Sequence, residues 1–229
     1  MATAKKKIAK VKEPVVEGSL SDQAFDQLEE MIVTLRLPPG TLWSEATLSD
    51  TLGIGRTPVR EAVQRLAEYH LVVVLRRHGI RIAEVDEQGQ LLVLETRREL
   101  ERLIAARAAR RASAEEKQAL STMAQALLEA GNAGDIVEML RQYFVAKNFM
   151  ARCAGNRFSE QAIAPLYTLS RRFYFMHHKE LDDLPEVARL HAELLRAVAS
   201  GDETDAAAAC DRHIDYAAAF ARRIITRGF

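Results

Sequence analysis

Cysteine is nearly absent. Cys153 and Cys210 are the two in 229 residues, too few and too far apart for a disulfide framework or a zinc finger. Both fall within apolar helical patterns and read as buried free thiols. Long hydrophobic runs are missing as well, since nothing approaches the roughly 20 apolar residues that span a bilayer. Net charge is absent too: 32 Lys and Arg balance 32 Asp and Glu. Such a chain does not coat nucleic acid by bulk attraction, so any affinity for a polyanion has to come from local clustering. No glycine-rich phosphate loop and no nucleophile–base pair is found, which argues against an enzyme. The lysine-rich residues 2–12 are not followed by an apolar segment and do not read as a signal peptide. Residues 1–17 read instead as a disordered basic tail, and the chain as cytoplasmic with no membrane association.

What is present is 48% hydrophobic residues, enough for a core in one large or two modest domains. The most informative stretch is residues 55–66, GRTPVREAVQRL. Val59, Ala62, Val63 and Leu66 follow the i, i+3, i+4, i+7 spacing of a helix with one buried face. Thr57 is placed to cap this helix, with Pro58 at its first position, where a missing N–H costs nothing. Thr57, Arg60, Glu61 and Gln64 fall on the opposite face, with Arg56 just before the cap. A helix anchored by small apolar residues and displaying guanidiniums and an amide suits the major groove of DNA.

The neighbouring residues extend this picture. Residues 24–35 form an amphipathic run closed by Pro38-Pro39-Gly40, and residues 42–52 a shorter helical pattern with Leu48 and Leu52 at i, i+4. Gly53 and Gly55 supply a tight turn before the arginine helix. Residues 71–75 (LVVVL) read as a strand, residues 76–79 (RRHG) as its turn and residues 80–83 (IRIA) as the returning strand. Three helices and a hairpin make a winged helix-turn-helix, expected over residues 18–85. Arg56, Arg60, Arg65, Arg76, Arg77 and Arg81 form its basic cluster.

Beyond about residue 86 the strand signals vanish. Helical runs are expected at 87–111, 114–130, 135–154, 157–178, 184–199 and 202–226, with Ser113 and Glu116 as a capping box. The region 86–229 therefore reads as an all-α bundle of about six helices, and the whole chain as mainly α. Ionisable residues intrude on its apolar stripes. Arg97 shares a face with Val93, Leu100 and Ile104; Lys147 shares one with Leu140, Tyr143, Phe144, Met150 and Ala151. His191 leads Leu194, Leu195 and Val198, and His213 lies in line with Tyr216, Ala217, Phe220 and Ile224. One such residue is ordinarily a snorkelling or hydrogen-bonded core side chain. Four together suggest a polar pocket, because burying unpaired charge repeatedly is too costly without a partner.

Pro39-Gly40, the run 48–52, the sequence RTPVREA at 56–62 and the wing Arg77-His78-Gly79 resemble the GntR family of bacterial transcription regulators. Gly55 stands where that family usually has a small polar residue, and Tyr69-His70 where it usually has an acidic residue and glycine. The region after residue 86 resembles, more loosely, the all-helical effector-binding (FCD-type) domain of the FadR-like branch. The carrying residues are Arg97, Leu100-Glu101, the turn Ala154-Gly155-Asn156, His191, Ala197, Gly201-Asp202 and His213. The resemblance implies a homodimeric, ligand-responsive regulator, more commonly a repressor, on a short palindrome of double-stranded DNA. Base or backbone contacts would fall to Arg56, Thr57, Arg60, Gln64, Arg77, His78 and Gly79, with Arg60 reading a base.

Many members of that branch hold a divalent metal through an Asp and a His one helical turn apart plus two later histidines. His191 and His213 match the later pair as half of a metal site. The first two positions fall on Tyr143 and Lys147, which are poor ligands. The expectation is therefore a metal-free pocket in which Arg97, Tyr143, Lys147, His191 and His213 hold a small carboxylate-class anion, with Lys147 supplying the charge of the absent metal. Two rival readings are a helical-domain enzyme using His191, His213 and Tyr143, and a helical domain that only dimerises.

Overall fold

The computed structural model describes residues 18–180 and 183–227; the segment 1–17, expected as a basic tail, lies outside them. Helix α1 (Leu20–Val33) starts at Ser19, whose hydroxyl accepts the Asp22 N–H while the Asp22 carboxylate accepts the Ser19 N–H. This reciprocal cap satisfies two of the donors a helix start leaves open. Helix α2 (Glu45–Leu52) is capped by Ser44 and ends on Gly53, which takes the left-handed conformation (φ 65°) that closes the last turn. Helix α3 (Arg56–Glu68) follows after two residues.

The start of α3 corrects the expected cap. Its N-cap is Gly55 rather than Thr57, and no side chain accepts there. Gly55 is extended (φ −60°, ψ 157°) and its carbonyl accepts the Val59 N–H at 3.3 Å. Pro58 is therefore the third helical residue, still within the first turn, where its N–H is not needed.

Strands β2 (Val72–Leu75) and β3 (Gly79–Ile82) form the expected hairpin. A third strand was not expected: Leu42–Trp43 is β1, antiparallel to β3 with Leu42 opposite Arg81 and Trp43 opposite Ile80. The sheet order is β1-β3-β2. Leu42 thus belongs to the sheet and not to the helical run 42–52, because the Ser44 cap sets the helix start after it. Leu28, Ile32, Leu37, Leu48, Val59, Leu66, Leu71, Ile80 and Ile82 fill the core of this head.

Six helices follow among the described residues: α4 (Gly89–Arg111), α5 (Ala114–Asn132), α6 (Ile136–Cys153), α7 (Arg157–His177), α8 (Leu184–Ser200) and α9 (Glu203–Arg227). Each begins and ends within two residues of its expected bounds. The Ser113–Glu116 capping box is formed, and Gly201 closes α8 in the left-handed region. Cys153 and Cys210 are buried thiols. α5 packs along α8 and α4 along α9, while α6 and α7 close the bundle. Alanine and glycine allow very close approach in places. At Gly131 on α5 an added methyl would lie 2.3 Å from Cβ of Ala188 on α8. Gly131→Ala should therefore destabilise the chain by about 2 kcal/mol through overpacking. Urea midpoints measure this, and adding Ala188→Gly should recover part of the loss; a neutral Gly131→Ala would mean the two helices part freely.

Candidate nucleic-acid interface and buried polar cavity

α3 presses Val59, Ala62, Val63 and Leu66 into the head's core and leaves Arg56, Thr57, Arg60, Glu61 and Gln64 exposed. Arg60 is held from the side by Glu45 on α2, a residue the sequence pattern did not single out. Its Nε donates to both carboxylate oxygens at 3.1 Å and its Nη2 to Oε2 at 2.8 Å. An exposed pair adds little stability. Its effect is orientation, since the Nη1 end of the fork stays clear of Glu45. Arg65 departs from the expected basic cluster: it pairs with Asp22 at 2.7 Å and lies over the Phe25 ring, so it ties α3 to α1. At the wing, Arg77 and His78 are exposed and Gly79 is half-buried. Arg77 (φ 66°) and Gly79 (φ 95°) both take left-handed backbone. Side chains are excluded at Gly79 on space alone, because an added methyl would lie 2.5 Å from the Trp43 carbonyl oxygen.

In the bundle, four helices deliver the predicted polar residues to one place. Arg97 (α4), Tyr143 and Lys147 (α6), His191 (α8) and His213 (α9) are all buried. The centre of the cluster is Glu101, one turn after Arg97 and fully buried. Arg97 donates through Nε to Glu101 Oε1 at 2.7 Å, and through Nη2 to the Tyr143 hydroxyl at 3.0 Å. Lys147 Nζ donates to Glu101 Oε2 at 2.5 Å. Burial opposes ionisation of Glu101, but Arg97 and Lys147 together outweigh it and hold the carboxyl below its usual range. Burial pulls the Lys147 ammonium below its ordinary value against the attraction of Glu101. It also pushes the Tyr143 phenol up to about 12.

The two imidazoles stack against this cluster, His191 to Tyr143 at 4.5 Å and His191 to His213 at 4.2 Å between ring centres. Burial lowers both imidazole pKa values well below normal. For His191 the next cause is His213; Lys147 and Arg97 act on both. His191 Nδ1 and His213 Nε2 are buried and make no hydrogen bond. They open on a cavity of about 50 Å³. Arg97, Tyr143, Ser170 and Arg171 supply polar walls; Leu94, Leu140, Phe173, Val187, Leu190 and Phe220 supply apolar ones. Lys147 is not part of that wall. Its direct role toward an anion is thereby replaced: Glu101 takes the ammonium, and the charge reaches the cavity through Arg97. Glu101 carried a readable signal, the i, i+4 spacing from Arg97 that brings a pair together on a helix. Arg171 carried none.

The donor set does not fit the divalent metal that the fold family implies. The Tyr143 hydroxyl is taken by Arg97, and a guanidinium and an ammonium stand beside the only two imidazoles of the cluster. Among the described residues no group of three or more His, Cys, Asp or Glu is placed to hold an ion. Two histidines remain as half a site.

An exposed helix bearing arginines and a basic wing are thus joined to an all-α bundle with a polar interior. Residues 20–82 match the model of bacterial regulatory proteins of the gntR family, and residues 92–216, more than half of the chain, match the FCD domain. The chain belongs to the GntR family of bacterial regulatory proteins and carries an FCD domain. It is 42% identical over 60 residues to an uncharacterized HTH-type transcriptional regulator in an unstable DNA locus of Streptomyces ambofaciens. Over 63 residues it is 40% identical to the HTH-type transcriptional regulator Mce2R of Mycobacterium tuberculosis. These spans are 26% and 27% of this chain and 25% and 26% of those proteins, so the chain spans about a quarter of the length of the curated relatives it matches. Among solved structures it resembles Escherichia coli McbR/YncC, with a TM-score of 0.79, 20% identity and 91% and 99% of the two chains covered. It also resembles a transcriptional regulator GntR from Rhodococcus sp. RHA1, with a TM-score of 0.66, 17% identity and 89% and 98% covered. At these identities the likeness carries the fold. No helix among the described residues is long and apolar enough to cross a membrane.

The depressed imidazoles make stability depend on pH. The folded chain keeps both rings neutral where the unfolded chain has already taken up protons. Stability is therefore full above the ordinary imidazole value of about 6.5 and falls below it. Lowering the pH from about 7.5 to about 5 should destabilise the folded chain. Urea midpoints at the two pH values check this against H191Q/H213Q, in which other titrating groups cancel. An equal slope in the variant would show that neither ring is held neutral.

Proposed function

We propose that this protein is a homodimeric regulator of the cytoplasm whose DNA affinity answers to a small anionic metabolite bound in the bundle. The observation that carries the reading is the charge of the buried cluster. Arg97 and Lys147 face one carboxylate, Glu101, and burial disfavours charging either imidazole, so the cluster around Glu101 carries one net positive charge at the cavity wall. A buried net charge is costly, and a singly charged ligand with an apolar body removes that cost. The carboxylate would take hydrogen bonds from Arg97 and Tyr143 or the imidazoles, and its body would meet Leu140, Phe173, Val187 and Phe220. No metal is required for this.

On the output side, each protomer would place α3 in a major groove of a short palindromic operator, related by the dimer axis. Arg60 would read a base from the orientation Glu45 gives it. Arg56, Thr57 and Gln64 would make neighbouring contacts, and Arg77, His78 and Gly79 would reach backbone or minor groove. Repression relieved by the effector is the sense we favour.

Two measurements test the two ends. On an operator selected from random DNA, Arg60→Ala should lose about 1–3 kcal/mol of discrimination against random sequence, with a similar salt slope. Unchanged discrimination would remove Arg60 from base reading. In a thermal-shift series, carboxylates with apolar bodies should raise the melting temperature more than their uncharged amides, since a ligand of the native state stabilises it. A ranking led by the amides, or by added divalent metal, would overturn the charge argument.

A further inference from the structure

The wall of the cavity and the seam between bundle and head share one side chain. Arg171 on α7 lines the cavity and is 2% exposed. Its Nη1 donates to both oxygens of Glu29 at 3.3 Å, and its Nη2 to Glu30 at 3.0 Å, both on α1. The guanidinium lies 4.3 Å from the centre of the Phe144 ring. Its Nε–H is buried without a partner. The neighbours of Arg171 face the same way. Thr168 hydrogen-bonds to Glu29, Arg172 Nη2 donates to the Ala83 carbonyl at 2.6 Å, and Leu169 packs against the head's core. α7 is the helix that clasps the head, and Arg171 is the charged centre of the clasp.

We propose that Arg171 is a second anchoring point for the ligand, and that an anion drawn to it loosens the clasp on Glu29 and Glu30. Occupancy of the bundle and orientation of the head are then coupled through one guanidinium. The inference rests on reading the cavity as the effector site. Four features carry it. The cavity, about 50 Å³, has room for only a few waters. A ligand with an apolar body presses on its walls, and α7 supplies Ser170, Arg171, Phe173 and Tyr174 to them. The Nε–H takes no part in the clasp and is buried without a partner, and a buried donor without an acceptor gains most from one. The bonds to Glu29, at 3.3 Å, are longer than the usual range, so a shorter bond to a ligand displaces them readily. Glu30 is partly exposed and recovers solvation when released.

Coupling is reciprocal: if a ligand loosens the clasp, loosening the clasp by mutation must tighten the ligand. The test uses the full chain, with benzoate as the probe and E29Q/E30Q as the variant, which keeps side-chain shape. Hydrogen exchange of linker residues 83–88 should rise about tenfold in the variant, and saturating benzoate should raise it in the wild type. Benzoate should bind the variant about fivefold more tightly than the wild type by calorimetry. Glu160→Gln, also on α7 but outside the clasp, should leave the affinity unchanged. Equal benzoate affinity for wild type and E29Q/E30Q, unchanged linker exchange, or an equal gain in Glu160→Gln overturns the coupling and leaves the cavity reading standing. Benzoate that binds neither form sinks the cavity reading and the coupling with it.

Discussion

A carboxylate with no access to water, Glu101, governs the interior of the bundle. Its two oxygens are divided between Arg97 on the same helix and Lys147 on α6, so neither cation can be moved without stranding the carboxylate. Removing one member of a buried pair costs several kcal/mol, whereas replacing the set with hydrocarbon is often neutral or better. The triad is therefore a poor device for stability alone. What it does is fix a guanidinium. With Nε on Glu101 and Nη2 on Tyr143, Arg97 has one orientation, and the rest of its fork is left to the cavity.

The helices are arranged so that this fixing is possible. α4, α6, α8 and α9 each bring one polar stripe inward, and the alanine-rich contacts on the other faces let the six helices close around them. The same packing explains the imidazoles. Burial is the first cause that keeps His191 and His213 neutral, and the nearby Lys147 and Arg97 add to it, so each ring keeps an open nitrogen. A site built on two cations and two neutral rings favours an anion over a metal ion, which needs negative or lone-pair donors gathered on one point.

How much of this was legible in the sequence depends on the range of the interaction. Capping signals act over three or four residues, and so Ser113 with Glu116, Gly53 and Gly201 placed helix ends to within two residues. The buried and exposed faces of α3 followed from periodicity in the same way. The cap of α3 was misplaced because a glycine can serve as N-cap without a side-chain signal, while Thr57 carries the usual hydroxyl. Leu42–Trp43 was missed as a strand because two residues have no periodicity, and their partners lie near residue 80. The burial of Arg97, Lys147, His191 and His213 was readable from their apolar neighbours. The direction in which Lys147 points was not, since it is set by Glu101 46 residues away on another helix. Arg171 and Glu29, 142 residues apart, left no local trace.

That last pair shows why a family pattern describes the two parts of this chain better than their connection. Each part has its own core, and each core explains its own helices. The seam carries polar contacts beside Leu169: a guanidinium shared by two carboxylates, a carbonyl held by Arg172, and buried Nε–H groups left without acceptors on both arginines. Interfaces between domains of one chain are commonly more polar than permanent ones, which leaves room for relative motion. A ligand shifts the arrangement of two such bodies only by as much as its affinity differs between the arrangements. Burying hydrocarbon at the seam would give a more stable protein and a less responsive one. On the coupling proposed above, the polarity of α7 where it meets α1 is the physical condition for occupancy of the cavity to be felt at the head.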